Sequence, residues 1–237
     1  MNTINIGTRG SKLAIHQTKI VLKKISELYP NIKLNTKVIK TKGDILLDQD
    51  LTKVLDKGFF TSEIQEALYA NEIDLAVHSL KDLPTTISEK SKIVAILKRE
   101  DHRDVFVSNH KTPLNYFDNY KKIGTSSLRR KSQLLSINKN LKILPIRGNV
   151  DTRIQKMLDG NYDGLVMAAA GVKRLGLEKH ITEFFDLDTM LTAPGQGAIA
   201  IEIRNSDDNL KKLLSKLNHD ETNMCVSAER SFLKTFS

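Results

Sequence analysis

Two corners of the same design constrain this chain more than anything else in it. Ile6-Gly7-Thr8-Arg9-Gly10-Ser11 and Ile123-Gly124-Thr125-Ser126-Ser127 each carry a short apolar strand through a hydroxyl-rich turn into a helix. A strand that turns tightly into a serine-capped helix is the start of a βα unit, and such units build parallel sheets. Two of them in 237 residues predict an α/β protein of two domains with related, doubly wound topology.

The rest of the pattern fits that frame. Ser11 caps a helix whose stripe includes Ala14, Val21, Ile25 and Leu28 and which stops at Pro30. Leu34, Thr36 and Val38 give a strand by period two, and residues 41–58, rich in Gly, Lys and Asp, read as a mobile loop. Thr61 caps a helix with Ile64, Ala67 and Leu68. A buried strand from Asp74 to His78 follows and breaks at Ser79-Leu80-Lys81-Asp82-Leu83-Pro84. The second unit begins near residue 103. It continues past its corner with a strand from Ile143 to Arg147, a helix from about Asp151 and an apolar strand from Gly164 to Ala168. Ala198 to Arg204 sets Ile199, Ile201 and Ile203 on one face, and this strand is expected to return to the first domain and create a hinge. Asp207–Leu217 and Glu221–Phe236 read as helices.

Composition excludes several classes of function. No 18-residue apolar run is present, so no membrane span is expected, and the first residues lack a secretory signal, which points to the cytoplasm. A single cysteine, Cys225, excludes an internal disulfide framework, and it is expected to be a buried, inert thiol. Neither His nor acidic residues fall at metal-ligand spacing. The net charge of +9 suggests an anionic partner, but aromatics are only 5% and Trp is absent, unlike binders of single-stranded nucleic acid. Lysines outnumber arginines 27 to 10 and are dispersed, whereas five arginines lie between residues 129 and 174. Guanidinium groups grip carboxylates two-pronged, so the expected ligand is a small, multiply anionic molecule held between two similar domains.

The candidate sites follow the strand ends. Each corner offers free helix N–H groups and hydroxyls to an anion, with Arg9 at one and Arg129 and Arg130 after the other. A plain serine cap beside exposed arginines has the same sequence. Arg147-Gly148-Asn149-Val150-Asp151-Thr152-Arg153 lies where a strand gives way to a helix, the ligand-binding edge of such sheets, although a solvated turn with Gly148 at positive φ is equally consistent. Arg174 shares this ambiguity. Lys81-Asp82 places a base beside an acid after a buried strand; it is either catalytic or a surface ion pair. His78 reads as an ordinary hydrogen-bonded histidine. Gly195-Gln196-Gly197-Ala198-Ile199-Ala200 matches a dinucleotide-binding pattern but precedes a strand rather than opening a helix, so it is not one.

Taken together, these stretches resemble the porphobilinogen deaminase (hydroxymethylbilane synthase) family, which joins four porphobilinogens head to tail with release of ammonia in tetrapyrrole biosynthesis. The resemblance runs through Gly7-Thr8-Arg9, Lys57-Gly58, Asp74 to Pro84, Gly124 to Arg130, Arg147 to Val150, Ala193 to Gly197 and Ala228-Glu229-Arg230. It implies two doubly wound, periplasmic-binding-protein-like domains joined by hinge segments: 1–98 with 198–217, and 103–192. Residues 218–237 would begin a third α+β domain, largely missing. It also implies Asp82 as the catalytic residue, beside the pyrrole N–H groups. Arg9, Ser11, Lys81, Thr125, Ser127, Arg129, Arg130, Arg147, Arg153 and Arg174 would hold acetate and propionate groups. Lys53, Ser79 and Gln196 are further binding residues by the same resemblance, with the stretch from Lys53 to Phe60 over the site. The family's cofactor is a dipyrromethane, thioether-linked to a cysteine in a Gly-Gly-Cys loop that this sequence does not contain; Cys225 does not align with it. The expected partner is porphobilinogen, with no nucleic acid and a monomeric chain. A two-domain anion-binding protein without catalysis is the rival expectation.

Overall fold

The computed structural model describes residues 2–45 and 61–236; Lys53, Lys57-Gly58 and most of the loop expected over 41–58 lie outside them. The chain divides into two units, Met1–Glu100 with Ala198–Ser237, and Asp101–Gly197. The first is built on β1 (Thr3–Arg9), β2 (Lys33–Ile39), β3 (Leu75–Ser79), β4 (Ser91–Ile96) and β10 (Ile199–Arg204), in the order β2-β1-β3-β10-β4. The second uses β5 (Asp104–Ser108), β6 (Lys122–Gly124), β7 (Lys142–Leu144), β8 (Gly164–Ala168) and β9 (Ile181–Phe184), in the order β7-β6-β8-β5-β9. The orders are the same once β1 is matched with β6, β2 with β7 and β3 with β8. In each sheet three parallel strands meet one antiparallel strand, β10 or β5. That strand is the one the chain makes on arriving from the other unit.

The repeated corners are equivalent in detail. Gly7 lies opposite Ala76 and Gly124 opposite Leu165. A Cβ on Gly7 would fall 2.3 Å from Ile73 Cδ1, and one on Gly124 would fall 2.7 Å from Leu165 Cδ2. Both corners therefore need glycine for close packing. An aspartate just before the neighbouring strand latches each pair. Asp74 Oδ2 accepts from the Asn5 amide (2.7 Å), and Asp163 Oδ2 accepts from that of Lys122 (2.6 Å). The turns differ by one residue: Ser11, four after its glycine, caps α1 (Lys12–Leu28), whereas Ser127, three after, caps α4 (Leu128–Ile137).

The remaining helices are α2 (Lys42–Ile45), α3 (Ser62–Tyr69), α5 (Val150–Leu158), α6 (Ala169–Arg174), α7 (Asp208–Leu214) and α8 (Asp220–Thr235). In α1 the inward line is Gln17, Val21 and Ile25, with Thr18 beside it, while Leu28, expected on the apolar stripe, is 49% exposed at the last turn. Thr61 precedes α3 without a side-chain cap bond. β2 is an edge strand, which leaves Val38 exposed. β10 has helices and loops on both faces: Ile201 and Ile203 pack with Val21, Ile25 and Leu214, and Ala200 with Leu80, Leu83 and Val226. Burying such faces is the main drive to fold each unit. Of residues 218–237, expected to begin a third domain, the described ones group with the first unit, where Val226 packs on it. Cys225 is exposed rather than buried, because α8 turns Thr222 and Val226 inward and Cys225 falls off that line.

Candidate functional site

In the first unit, β1 and β3 run parallel as neighbours, so their C-terminal ends share one edge of the sheet. Thr8 and Arg9 end β1, and Ser11 Oγ accepts from the Ala14 amide at 3.2 Å, which orders the helix start. β3 ends at Ser79 and passes into a single 3-10 turn, Leu80–Asp82, whose first residue is fully buried while Lys81 and Asp82 face solvent. The Asp82 carboxylate makes no hydrogen bond or ion pair among the described residues. Ser79 Oγ takes a 2.8 Å hydrogen bond from the Gln17 side-chain amide. An acceptor-only carboxylate beside an ammonium, on a turn fixed by its buried neighbour, can stabilise positive charge that develops on a ligand.

His78 turns into the interior. Its Nε2 lies 2.9 Å from Glu202 Oε2, and Glu202 Oε1 accepts from Ser91 Oγ (2.6 Å) and Gln65 Nε2 (2.9 Å). Burial pushes the Glu202 carboxyl up, but His78, Ser91 and Gln65 outweigh it and hold it below the usual carboxylate range. This is a supporting network, not part of the exposed edge.

In the second unit the corresponding edge gathers Thr125, Ser127, Arg147 and Arg153. Thr125 is buried, and its Oγ1 accepts from the Ser127 amide (3.2 Å); Ser127 Oγ accepts from Arg130 N (3.4 Å). Gly148 has φ +116°, so the chain can reverse sharply between Arg147 and α5. Arg153 Nε donates to the Gly148 carbonyl at 2.6 Å and Lys156 Nζ to the Arg147 carbonyl at 3.1 Å. Those bonds fix the backbone and leave the half-buried Arg147 guanidinium without a hydrogen bond or ion pair among the described residues. Arg174 donates from Nη2 to the Gly197 carbonyl at 2.7 Å.

Three expected ligand-binding residues are engaged elsewhere. Asp104, at the start of β5 and fully buried, accepts from Arg130 Nη2 at 2.7 Å and stands 2.7 Å from Arg129 Nη1. Arg130 is 7% exposed; its Nε also donates to Asp104 Oδ1 at 3.2 Å and its Nη1 to the Val166 carbonyl at 3.0 Å. Gln196 is fully buried, and its side-chain amide donates to Asp104 Oδ1 (2.9 Å) and the His102 carbonyl (2.7 Å). Burial alone would raise the Asp104 carboxyl; the two guanidinium groups reverse that and hold it low. Arg129 keeps an exposed part and also donates to the Leu191 carbonyl at 2.6 Å. Nothing in the sequence marks Asp104 as this hub. Gln17 was more accessible to reasoning, since a polar residue one turn before Val21 and Ile25 on a buried line needs a partner.

Groups of His, Cys, Asp and Glu able to hold a metal are absent among the described residues, as are helices long and apolar enough to cross a membrane. Each edge can take part of an acidic pyrrole: in the first unit the solvent-facing Asp82 carboxylate can take ring N–H groups, and in the second the Arg147 guanidinium can take a carboxylate. A thioether linkage has no such support, since the lone cysteine is on the outer face of α8.

Comparisons with known proteins give the family and the fold. Residues 4–212 match the family described as porphobilinogen deaminase, dipyromethane cofactor binding domain. Porphobilinogen deaminase of Chloroherpeton thalassium is 46% identical over 97% of this chain and 73% of its own length. That of Desulfitobacterium hafniense is 47% identical over 98% and 76%. The chain thus spans about three quarters of these relatives. Among solved structures, the methionine binding protein MetQ aligns with a TM-score of 0.57 at 14% identity, covering 97% of this chain and 96% of its own. A putative methionine-binding lipoprotein from Bacillus subtilis gives 0.55 at 13%, covering 92% and 90%. These two show the periplasmic-binding-protein fold alone. With the family match and both relatives spanning nearly its whole length, the chain belongs to the porphobilinogen deaminase family.

Proposed function

We propose that Asp82 is the catalytic residue of porphobilinogen condensation in this chain. We assign the acetate and propionate groups of the pyrroles to Arg9, Ser11, Ser79 and Lys81 in the first unit, and to Thr125, Ser127, Arg129, Arg147, Arg153 and Arg174 in the second. The observation that carries this reading is the Asp82 turn: an unpartnered, solvent-facing carboxylate at the C-terminal ends of the parallel strands β1 and β3, adjoining Lys81. Loss of ammonia breaks the aminomethyl C–N bond, with the electron pair leaving on nitrogen, and leaves positive charge on the pyrrole. A fixed carboxylate stabilises that charge until the next pyrrole carbon forms the new C–C bond and sheds its proton. The dipyrromethane group, when bound, supplies the first such carbon.

Arg130 and Gln196 take no ligand role in this proposal. They hold Asp104, and through it Arg129, in place. The reading assigns the chain to the cytoplasm, acting as a monomer on small molecules rather than nucleic acid; dispersed lysines and the absence of Trp support the last point.

Calorimetry with porphobilinogen on the 237-residue chain tests the clamp: Arg147→Gln should weaken binding about tenfold, the loss of one charge-assisted pair. Turnover is measured on a chain continued through the quarter of the relatives' length that this sequence does not span, in which Asp82→Asn should cut ammonia release roughly a thousandfold while binding persists. Binding with no turnover by the continued wild-type chain would establish an anion-binding protein instead.

A further inference from the structure

The turn that presents Lys81 and Asp82 has little to hold it in its own sequence. One backbone bond closes it, Leu83 N to Leu80 O at 3.2 Å, and Leu80 N donates to the Ala198 carbonyl at 3.0 Å. Pro84 brings no N–H, so the strand-and-turn pattern cannot continue, and the carbonyls of Leu83 and Pro84 need donors from elsewhere, with a second lone pair left on Leu80 O. Arg230 of α8 supplies them. Its Nη1 donates to Leu83 O at 3.1 Å and Leu80 O at 3.4 Å, and its Nη2 to Pro84 O.

We propose that Arg230 is a positioning residue for Asp82, a guanidinium cap that fixes the Leu80–Pro84 backbone and so holds the carboxylate at the sheet edge. The proposal rests on the role given to Asp82 above. Arg230 has no acidic partner among the described residues, so its charge is spent on carbonyl dipoles at the end of a turn, where a cation is favoured. Val226, one helical turn earlier, packs on Leu80 and Leu83, so the same face of α8 grips both the side chains and the backbone of the turn. The neighbouring Glu229 takes a two-pronged bond from Arg99 at 2.5 and 3.0 Å.

Hydrogen exchange and porphobilinogen calorimetry on the 237-residue chain read it. In Arg230→Gln the Leu80 and Leu83 amides should exchange at least tenfold faster, the β1 amides should be unchanged, and porphobilinogen affinity should fall several-fold. If Arg230→Gln does not fold, Arg230→Lys keeps charge and stem but cannot span three carbonyls, and should give a smaller rise at the same two amides. Unchanged exchange there, or an equal rise throughout the first unit, overturns the cap. A wild-type chain that ignores porphobilinogen overturns the reading of the site instead.

Discussion

β3 and β8 occupy the same place in two sheets of the same order, yet they end in opposite ways. After β3 the chain makes a 3-10 turn that exposes Lys81 and Asp82. After β8 it enters α6, whose Ala169, Ala170, Gly171 and Val172 are all buried. The first unit exposes two charged residues at this position, and the second buries four small or apolar ones. Buried acids differ in a parallel way. Glu202 of the first sheet is matched by neutral donors and His78, whereas Asp104 of the second gathers two arginines and orients one of them, Arg129, at a partly exposed position. A shared topology thus fixes where exposed polar groups can be placed, and the strand-end residues decide whether a given place is exposed or packed.

The sharpest way to break this comparison is Asp82→Asn. In a continued chain it should reduce turnover by roughly a thousandfold, about 4 kcal/mol of transition-state stabilisation, with unfolding free energy unchanged within about 0.5 kcal/mol. Asp104→Asn should do the reverse. It leaves Arg130 buried without its counter-charge and should destabilise the second unit by about 3–5 kcal/mol, seen as selective loss of exchange protection in β5 and β8. A stability loss confined to the first unit would contradict the assignment.

Exchanging the strand ends gives a smaller effect. Ala170→Lys forces a charge into a buried position and should cost about 3 kcal/mol in urea unfolding, whereas Lys81→Ala, at an exposed one, should stay within about 0.5 kcal/mol. Acid should also separate the units. The folded pKa values of Asp104 and Glu202 are both depressed, so each contributes stability above the unfolded carboxylate value and loses it as pH falls through the folded value. Asp101, lowered chiefly by its bond to Arg103 and also by Lys173, adds to this in the second unit. Below about pH 4 the second unit should therefore lose exchange protection more steeply than the first; the opposite order would refute the electrostatic contrast. Smallest, Ser11→Ala and Ser127→Ala should each cost about 1 kcal/mol, because both corners cap a helix in the same way.

Much of the fold was legible because local rules decide it. The two corners, the cap at Ser11, the break at Pro84 and the strand Gly164–Ala168 follow from periodicity, capping and the geometry of proline, all properties of a few adjacent residues. Strands such as β4, β5 and β9 were not read, since their assignment depends on partners far away in sequence. Exposure was harder still. Leu28, Val38 and Cys225 are exposed because of what happens to pack beside α1, β2 and α8, not because of their own chemistry.

The candidate site divides along the same line. The sequence alone determined that two βα corners, a Lys-Asp turn and a cluster of arginines occur in the order characteristic of one family, because motif identity survives without coordinates. Only the tertiary structure decided what each arginine is used for. Arg130 is consumed by a buried aspartate 26 residues earlier, Arg147 is left with an unmatched guanidinium, and Arg230 caps a turn nearly 150 residues before it. A guanidinium is equally suited to a ligand carboxylate, a buried acid or a set of backbone carbonyls. Which of these it meets depends on long-range packing, and that is information no local pattern contains.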